Sequence, residues 1–287
     1  MSSSGIDIGK EQLDHPLRLS IQLHLGETDC FVLFIRDQVV LNQDHSPFLS
    51  LEQAEPLMQQ ASRLFIGHTK ETPSANVYTC RLPESTQLPD DMKTSNLRSL
   101  ILLEHQSLPK LLGRARQLLD WHENHRFCGR CGGKTEQVPQ EYSFKCSDCS
   151  LYFYPRISPC VIVLIKRGDH CLLAKGAHRS ANFYSTLAGF MEPGETPEQA
   201  VKREVWEETG IKVKNVRYFG SQSWPFPSQL MLGYIADYRD GDITINPDEI
   251  EDAQWFHFDE LPTHPPITSI AGRLIEEGVR EYQRSQD

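Results

Sequence analysis

The stretch GFMEPGETPEQAVKREVWEETGI, Gly189 to Ile211, runs a turn-rich loop directly into a charged helix. Thr196 suits the N-cap and Pro197 the first helical position, where no amide hydrogen is needed. Gln199 completes a capping box, and Gly210 fits the left-handed residue that ends a helix. Within that helix Glu204, Glu207 and Glu208 stand at i, i+3 and i+4, which confines their carboxylates to an arc of roughly 100° on one side. Like charges at this spacing cost about 0.2–0.5 kcal/mol per pair, so the crowding is tolerable without a ligand. A solvated acidic face, with Arg203 reaching Glu207, is therefore one reading. A hard divalent cation is the other, since Mg²⁺ or Mn²⁺ takes carboxylate oxygens while keeping waters for a substrate phosphate.

The chain around this helix has 287 residues, 39% hydrophobic and 24% charged, enough for roughly two domains with a substantial core. A formal charge of −10 disfavours tight non-specific adhesion to nucleic acid or anionic membrane, so an anionic substrate needs local cations. The N-terminus lacks an apolar core flanked by basic residues, and no apolar run approaches the roughly 18 residues of a membrane span. The C-terminal RSQD matches no retention signal. A cytoplasmic, reducing setting with no membrane partner is the resulting expectation.

Upstream, LRLSIQLHL and CFVLFIRDQVVL read as a β-hairpin joined near a Gly-Glu-Thr-Asp turn, with RLFIGHT and ANVYTCRL as further strands. Leu97, Leu100 and Ile101 mark one helical face; Leu111, Leu112, Ala115, Leu118 and Leu119 mark another, with Pro109 expected to separate the two helices. YPRISPCVIVLIKRGDHCLLAKG reads as two strands joined at Arg167 to His170. VKNVRYFGSQSW, QLMLGYIADY and AQWFHF add strands, and SIAGRLIEEGVREYQR a closing helix.

Cys128 and Cys131 form one CxxC, and Cys146 and Cys149 a second, a spacing that suits tetrahedral Zn²⁺. Gly129, Gly132 and Gly133 allow tight turns that aim amides at the sulfurs. Paired disulfides or a redox dithiol compete, and a reducing compartment argues against both. Four ligands leave no open position, so this zinc is structural. Cys30, Cys80, Cys160 and Cys171 lie in or beside apolar runs and read as buried small hydrophobes.

From Gly189, the order of one Gly, five residues, Glu195, seven residues, then Arg203-Glu204-Val205-x-Glu207-Glu208-x-Gly210-Ile211 resembles the Nudix box throughout. The Nudix family cleaves a nucleoside diphosphate linked to another group with the help of divalent cations. About ten residues further on, SQSWPFPSQLM resembles the SQPWPFPxS signature of the NADH pyrophosphatase branch, which also carries a four-cysteine ribbon. Ser223 stands where that signature has Pro, and Gln229 where it has Ser. The resemblance implies an α+β chain: an N-terminal α+β domain over 1–125, a zinc ribbon over 126–156, and a C-terminal Nudix α/β/α sandwich with mixed sheet over 157–287.

The resemblance also implies roles. Glu204, Glu207 and Glu208 become the catalytic carboxylates, and Glu204, Glu208, Glu249 and the carbonyl of Ala188 the Mg²⁺ or Mn²⁺ ligands. From spacing alone Glu249 reads as part of an exposed acidic loop. Substrate-binding positions become Gln222, Ser223, Trp224, Pro225, Phe226, Pro227, Ser228 and Gln229, with Phe190, Tyr154 in YPRISP, Glu141, Ala271 and Arg98. Trp224, Phe226 and Phe190 offer flat faces to a nicotinamide or adenine ring, and core packing competes at each. The activity implied is hydrolysis of NAD(H) and related dinucleotides to nicotinamide mononucleotide and AMP by a homodimer. A second reading puts the same chemistry on the NAD cap of RNA, with Arg114, Arg116, Arg126 and Arg130 holding the strand. A third is a non-catalytic nucleotide sensor.

Overall fold

The computed structural model describes residues 20–21, 29–58, 61, 63–69, 75–103, 107–139, 141–177 and 183–286. The chain divides into two compact units, Met1–Arg156 and Ile157–Asp287.

The first unit carries a mixed sheet of β1 (Ser20–Ile21), β2 (Cys30–Ile35), β3 (Gln38–Leu41), β4 (Leu49–Ser50), β5 (Leu64–Thr69), β6 (Asn76–Leu82) and β7 (Lys93–Asn96). Their order is β1-β5-β6-β2-β3-β7, with β4 on β2. Three helices accompany it: α1 (Leu51–Met58), α2 (Leu97–Leu103) and α3 (Ser107–Asn124). Ala54, Leu57 and Met58 of α1 cover Phe31, Leu33, Val40 and Leu82 of the sheet.

Two expectations are corrected here. The hairpin lies inside CFVLFIRDQVVL: Phe34 faces Val39 and Ile35 faces Gln38 across Arg36 and Asp37, with Arg36 in the left-handed region at φ 51°. Ser20–Ile21 instead runs parallel to β5, and the rest of LRLSIQLHL, with the Gly-Glu-Thr part of the turn, lies outside the described residues. Pro109 does not separate the helices; it sits in the first turn of α3, where an amide has no intrahelical acceptor to lose.

After α3 come three short antiparallel strands, β8 (Thr135–Gln137), β9 (Phe144–Cys146) and β10 (Tyr152–Phe153). They dock on α3 through rings: Phe144 lies 4.9 Å from Trp121, and Phe153 5.8 Å from His125. Tyr142 donates to the Phe65 carbonyl at 2.9 Å, under the Arg114 guanidinium.

The second unit is a six-stranded sheet of β11 (Ser158–Arg167), β12 (His170–Gly176), β13 (Leu187–Phe190), β14 (Lys212–Trp224), β15 (Gln229–Asp240) and β16 (Ile250–His257). The order is β14-β15-β11-β12-β16, with β13 also on β11. The sheet is mixed, since β11 runs parallel to β15 and antiparallel to β12 and β13. Helices α4 (Pro197–Thr209) and α5 (Ile270–Gln286) complete it. The period of two along β11 explains the layering. Val161, Val163 and Ile165 pack with Ala200, Val201 and Val205 of α4, whereas Cys160, Ile162 and Leu164 pack with Ile270, Leu274 and Ile275 of α5. A strand buried on both faces reads as a continuous apolar run, which is what CVIVLI is.

Candidate active site and zinc centre

The glutamate helix is fixed at both ends by its own sequence. Thr196 accepts from the Gln199 amide at 3.3 Å, Gln199 Oε1 accepts from the Thr196 amide at 2.8 Å, and Gly210 at φ 70° closes the helix. The last carbonyls of a helix lack intrahelical donors. Here Thr244 N donates to Thr209 O at 2.9 Å and Asn246 N to Glu208 O at 3.0 Å. The loop bearing Glu249 is thereby tied to the end of α4.

Arg203 is the hub of the site. Its guanidinium donates to Glu195 (2.7 and 3.1 Å), Glu204 Oε1 (2.8 Å), Glu207 Oε2 (3.0 Å) and the Phe190 carbonyl (2.9 Å). The hydrogen bonds that Arg203 donates to Glu195 in particular hold Arg203 firmly protonated, and the same contact draws the Glu195 carboxyl below its usual range. Arg203 orients Glu204 and Glu207, and Glu195 is the anchor that orients Arg203.

Glu204 is largely buried and lies against the α-carbon of Gly189. A Cβ at position 189 would meet the Glu204 carboxylate carbon at 1.9 Å. A side chain at 189 would displace the Glu204 carboxylate, so the glycine matters there by close approach and not by φ. Burial, and then repulsion from Glu207 and Glu249, push the Glu204 carboxyl up, while Arg203 opposes them. Glu208 is buried as well, at 7% exposure, and Glu207 stays exposed. Ala188, next to Gly189 on β13, pairs with Ile162. Glu204, part-buried and under repulsion from two other carboxylates, offers the hard oxygen donor chemistry that a divalent cation takes, while among the described residues only the four ribbon cysteines form a cluster tight enough to hold a metal ion as they stand. Gly189→Ala should cost about 10²-fold in turnover with the fold retained, because even a 1 Å displacement of a catalytic group has that effect. Steady-state kinetics beside a thermal melt would check it, and turnover close to wild type would refute it.

SQSWPFPSQLM forms a hairpin between the two strands expected there: Trp224 faces Gln229 across Pro225, Phe226, Pro227 and Ser228. Pro225 is buried, and Trp224 and Phe226 meet edge to face at 5.3 Å, part-buried. The hairpin is pinned to neighbouring elements. Ser158 N donates to Ser228 O at 2.8 Å, Gln222 Oε1 accepts from the first amide of α5 at 2.7 Å, and Gln222 Nε2 donates to Thr268 O at 2.9 Å. The Gln222 amide thus organises the start of α5, where Ala271 is buried. Ser223 is exposed beside it. Strand register joins this hairpin to the box: Phe190, Cys160, Met231 and Gln222 form one row across β13, β11, β15 and β14. Phe190 is 49% exposed on that row, free of the core.

Arg98, Glu141 and Tyr154 belong to the first unit. Arg98 and Tyr154 are exposed, and Glu141 is exposed with its carboxylate accepting from Ser143. Of the cations considered for holding a nucleic-acid strand, Arg114 donates to Ile66 O at 2.7 Å and Arg116 pairs with Asp120 and Asp37. Both are committed inside the unit, and Arg126 and Arg130 are exposed.

In the ribbon the four Sγ atoms of Cys128, Cys131, Cys146 and Cys149 lie within 4.8 Å of one another, with closest pairs at 3.5 and 3.6 Å. A tetrahedron with Zn–S bonds of about 2.3 Å has edges of about 3.8 Å, so the thiols fit zinc. The Arg130 and Cys149 amides point at Cys128 Sγ and Cys146 Sγ at 3.4 and 3.5 Å. Each knuckle ends on a left-handed residue, Gly132 at φ 76° and Ser150 at φ 58°. The other four cysteines are buried, and burial raises the thiols of Cys80 to about 11 and Cys171 to about 12, which keeps them inert near neutrality.

Three family models match successive parts of the chain. A NUDIX domain model matches residues 155–277, an NADH pyrophosphatase zinc ribbon domain 123–154, and an NADH pyrophosphatase-like rudimentary NUDIX domain 28–121. The NAD-capped RNA hydrolase NudC of Pseudomonas fluorescens strain Pf0-1 is 47% identical over 211 residues, 74% of this chain and 75% of that protein. NudC of Photorhabdus laumondii is 46% identical over 187 residues, 64% of this chain and 73% of that protein. A solved NUDIX hydrolase from Nitrosomonas europaea is 26% identical with a TM-score of 0.45, covering 56% of this chain and 92% of its own. Among the described residues no helix is long and apolar enough to cross a membrane.

Proposed function

Because the chain belongs to the Nudix hydrolase family, in the branch that carries the NADH pyrophosphatase zinc ribbon, we propose that it hydrolyses the pyrophosphate bond of NAD(H) to nicotinamide mononucleotide and AMP. The same cut on an NAD-capped RNA 5′ end is part of the reading, supported by the names of its NudC relatives. The observation that carries it is the cluster around Arg203. A part-buried Glu204 seated on the Gly189 backbone faces the charges of Glu207 and Glu249, opposed by Arg203, and its carboxyl is still pushed up, an arrangement that a divalent cation would stabilise.

In this reading Glu204, Glu208, Glu249 and the Ala188 carbonyl hold Mg²⁺ or Mn²⁺, which when bound neutralises the diphosphate and acidifies a coordinated water. Arg203 fixes the directions of Glu204 and Glu207 and is itself fixed by Glu195. One of Glu204, Glu207 and Glu208 accepts the proton of the attacking water. The hairpin from Gln222 through Gln229, with Phe190 and Ala271, forms the dinucleotide-binding side, and Arg98, Glu141 and Tyr154 keep the substrate-binding roles that the resemblance implies. The homodimer implied by the resemblance and the cytoplasmic setting expected from the sequence belong to the same reading.

The test is product analysis. With Mg²⁺ or Mn²⁺ present, NADH should give AMP and reduced nicotinamide mononucleotide, NAD-capped RNA should give a 5′-monophosphate end, and chelation should stop both. Metal-replete protein that leaves both substrates uncut defeats the reading.

A further inference from the structure

The first turn of α5 carries a cation that the fold leaves unused. Arg273 stands three residues after Ile270, whose amide donates to Gln222 Oε1, and two after the buried Ala271. Its side chain is part-buried, with Nε closed to solvent and no protein acceptor within reach. The backbone is satisfied, since Arg273 N donates to Ser269 O at 3.0 Å, so only the guanidinium is orphaned. Burial lowers its proton affinity, and no carboxylate stands by to restore it.

Every other described arginine of the second unit has a partner. Arg203, Arg217, Arg239, Arg280 and Arg284 each meet a carboxylate, and Arg167 lies over the rings of Tyr238 and Trp255. Glu277 stands four residues after Arg273, the spacing of a helical ion pair, yet it meets Arg284 instead. Buried donors are ordinarily hydrogen-bonded and buried charges paired, so the lone guanidinium destabilises the free protein. Where it reaches follows from helix geometry. Side chains on a helix tilt toward its N-terminus, so a long one covers the turn before its own. For Arg273 that turn is the one Gln222 ties to the proline hairpin, on the face of the sheet away from α4.

We infer that Arg273 is a further substrate-binding residue, a guanidinium left free of protein carboxylates so that it takes a phosphate group of the dinucleotide. The inference rests on the proposed pyrophosphate hydrolysis and adds to its metal a protein cation on the α5 side. A chain with a formal charge of −10 needs such a local cation for an anionic substrate. Guanidinium suits the task, because its planar fork meets two phosphate oxygens at once. Two phosphates share that chemistry: the one that AMP keeps from the bridge, and the one that NADP(H) adds on its adenosine ribose. A group that serves the ligand and not the fold has a signature, since replacing it weakens binding without lowering stability.

The test is calorimetric titration of the full, zinc-loaded chain without added Mg²⁺ or Mn²⁺, beside a thermal melt of each variant. AMP against adenosine reads the bridge phosphate, and NADPH against NADH reads the ribose phosphate. Arg273→Met, which keeps an apolar stem, should lose about tenfold in affinity for AMP, or about tenfold for NADPH relative to NADH. It should hold adenosine within about twofold and melt no lower than wild type. Arg273→Lys, with the charge but not the fork, should recover part of the loss. Equal losses for AMP and adenosine together with a lower melt make Arg273 a structural residue and overturn the inference. Wild-type affinity of Arg273→Met for all four ligands overturns it as well. Wild-type protein that binds AMP through Arg273 but leaves NADH uncut once metal is added defeats the proposed hydrolysis and leaves the phosphate contact standing.

Discussion

Glu208→Gln is expected to lower turnover of NADH by at least about 10²-fold at saturating metal, the range in which loss of a proton acceptor or of the charge that seats a cation falls. The substitution keeps the shape of a side chain that is 7% exposed and packed at the inner end of α4, so the melting temperature should stay close to wild type. What it removes is one negative charge from a set that includes Glu204, Glu207 and Glu249. Affinity for Mn²⁺, followed by titration of the paramagnetic ion, should fall in parallel with turnover. The neighbouring anchors make the result specific. Arg203 binds Glu195, Glu204 and Glu207 but makes no ion pair with Glu208, so the amide leaves the Arg203 network intact. Turnover within about twofold of wild type, or a loss of activity with unchanged Mn²⁺ affinity and a collapsed melt, would defeat the assignment.

That network also shows how far the sequence alone could be read. The helix caps at Thr196, Gln199 and Gly210 were legible because capping is local: each residue type is chosen by a backbone group within one turn. The apolar run CVIVLI identified a strand, and the structure adds that both its faces are covered, as a period of two with every position apolar requires. The four zinc ligands were legible for the same reason, two close pairs recurring at ribbon distance. Glu249 was not legible by spacing. What brings it to the site is a pair of hydrogen bonds from Thr244 and Asn246 to orphan carbonyls of α4, and a carbonyl carries no sequence signature.

The misplaced features have equally specific causes. The hairpin in CFVLFIRDQVVL turns on Arg36 and Asp37, a dipeptide without the glycine that usually marks such a turn, and Arg36 takes the left-handed region itself. Helix α1 was unseen because LEQAEPLM carries Pro56 within it. Strand β7 was unseen because KTSN has no apolar residue to set a period. The Gly189 cradle was likewise silent, since a glycine required by a contact 15 positions along the chain looks like any loop glycine.

Cys146→Ser is expected to release the zinc and unfold the ribbon while leaving the second unit folded. The three ribbon strands have three, three and two residues, far below what holds a sheet together without help. Structural zinc supplies about 10 kcal/mol or more of apparent binding free energy near neutral pH, and in a module this small that energy is folding energy. Cys146 is the ligand to change, because it is 1% exposed, meets Cys131 Sγ at 3.5 Å and accepts the Cys149 amide. Serine is close in size but a poor zinc ligand, and the knuckle amides then point at an oxygen too far away to hold. Phe144 and Phe153 would leave Trp121 and His125, so hydrogen exchange at 135–153 should rise to that of an unfolded segment. Exchange in α4 should not change, because its core of Ala200, Val201 and Val205 is formed within the second unit. Colorimetric zinc release and mass-resolved hydrogen exchange read the two halves of the expectation separately. Retained zinc would overturn the ligand assignment, and released zinc with 135–153 still protected would show that packing on α3 alone holds the ribbon.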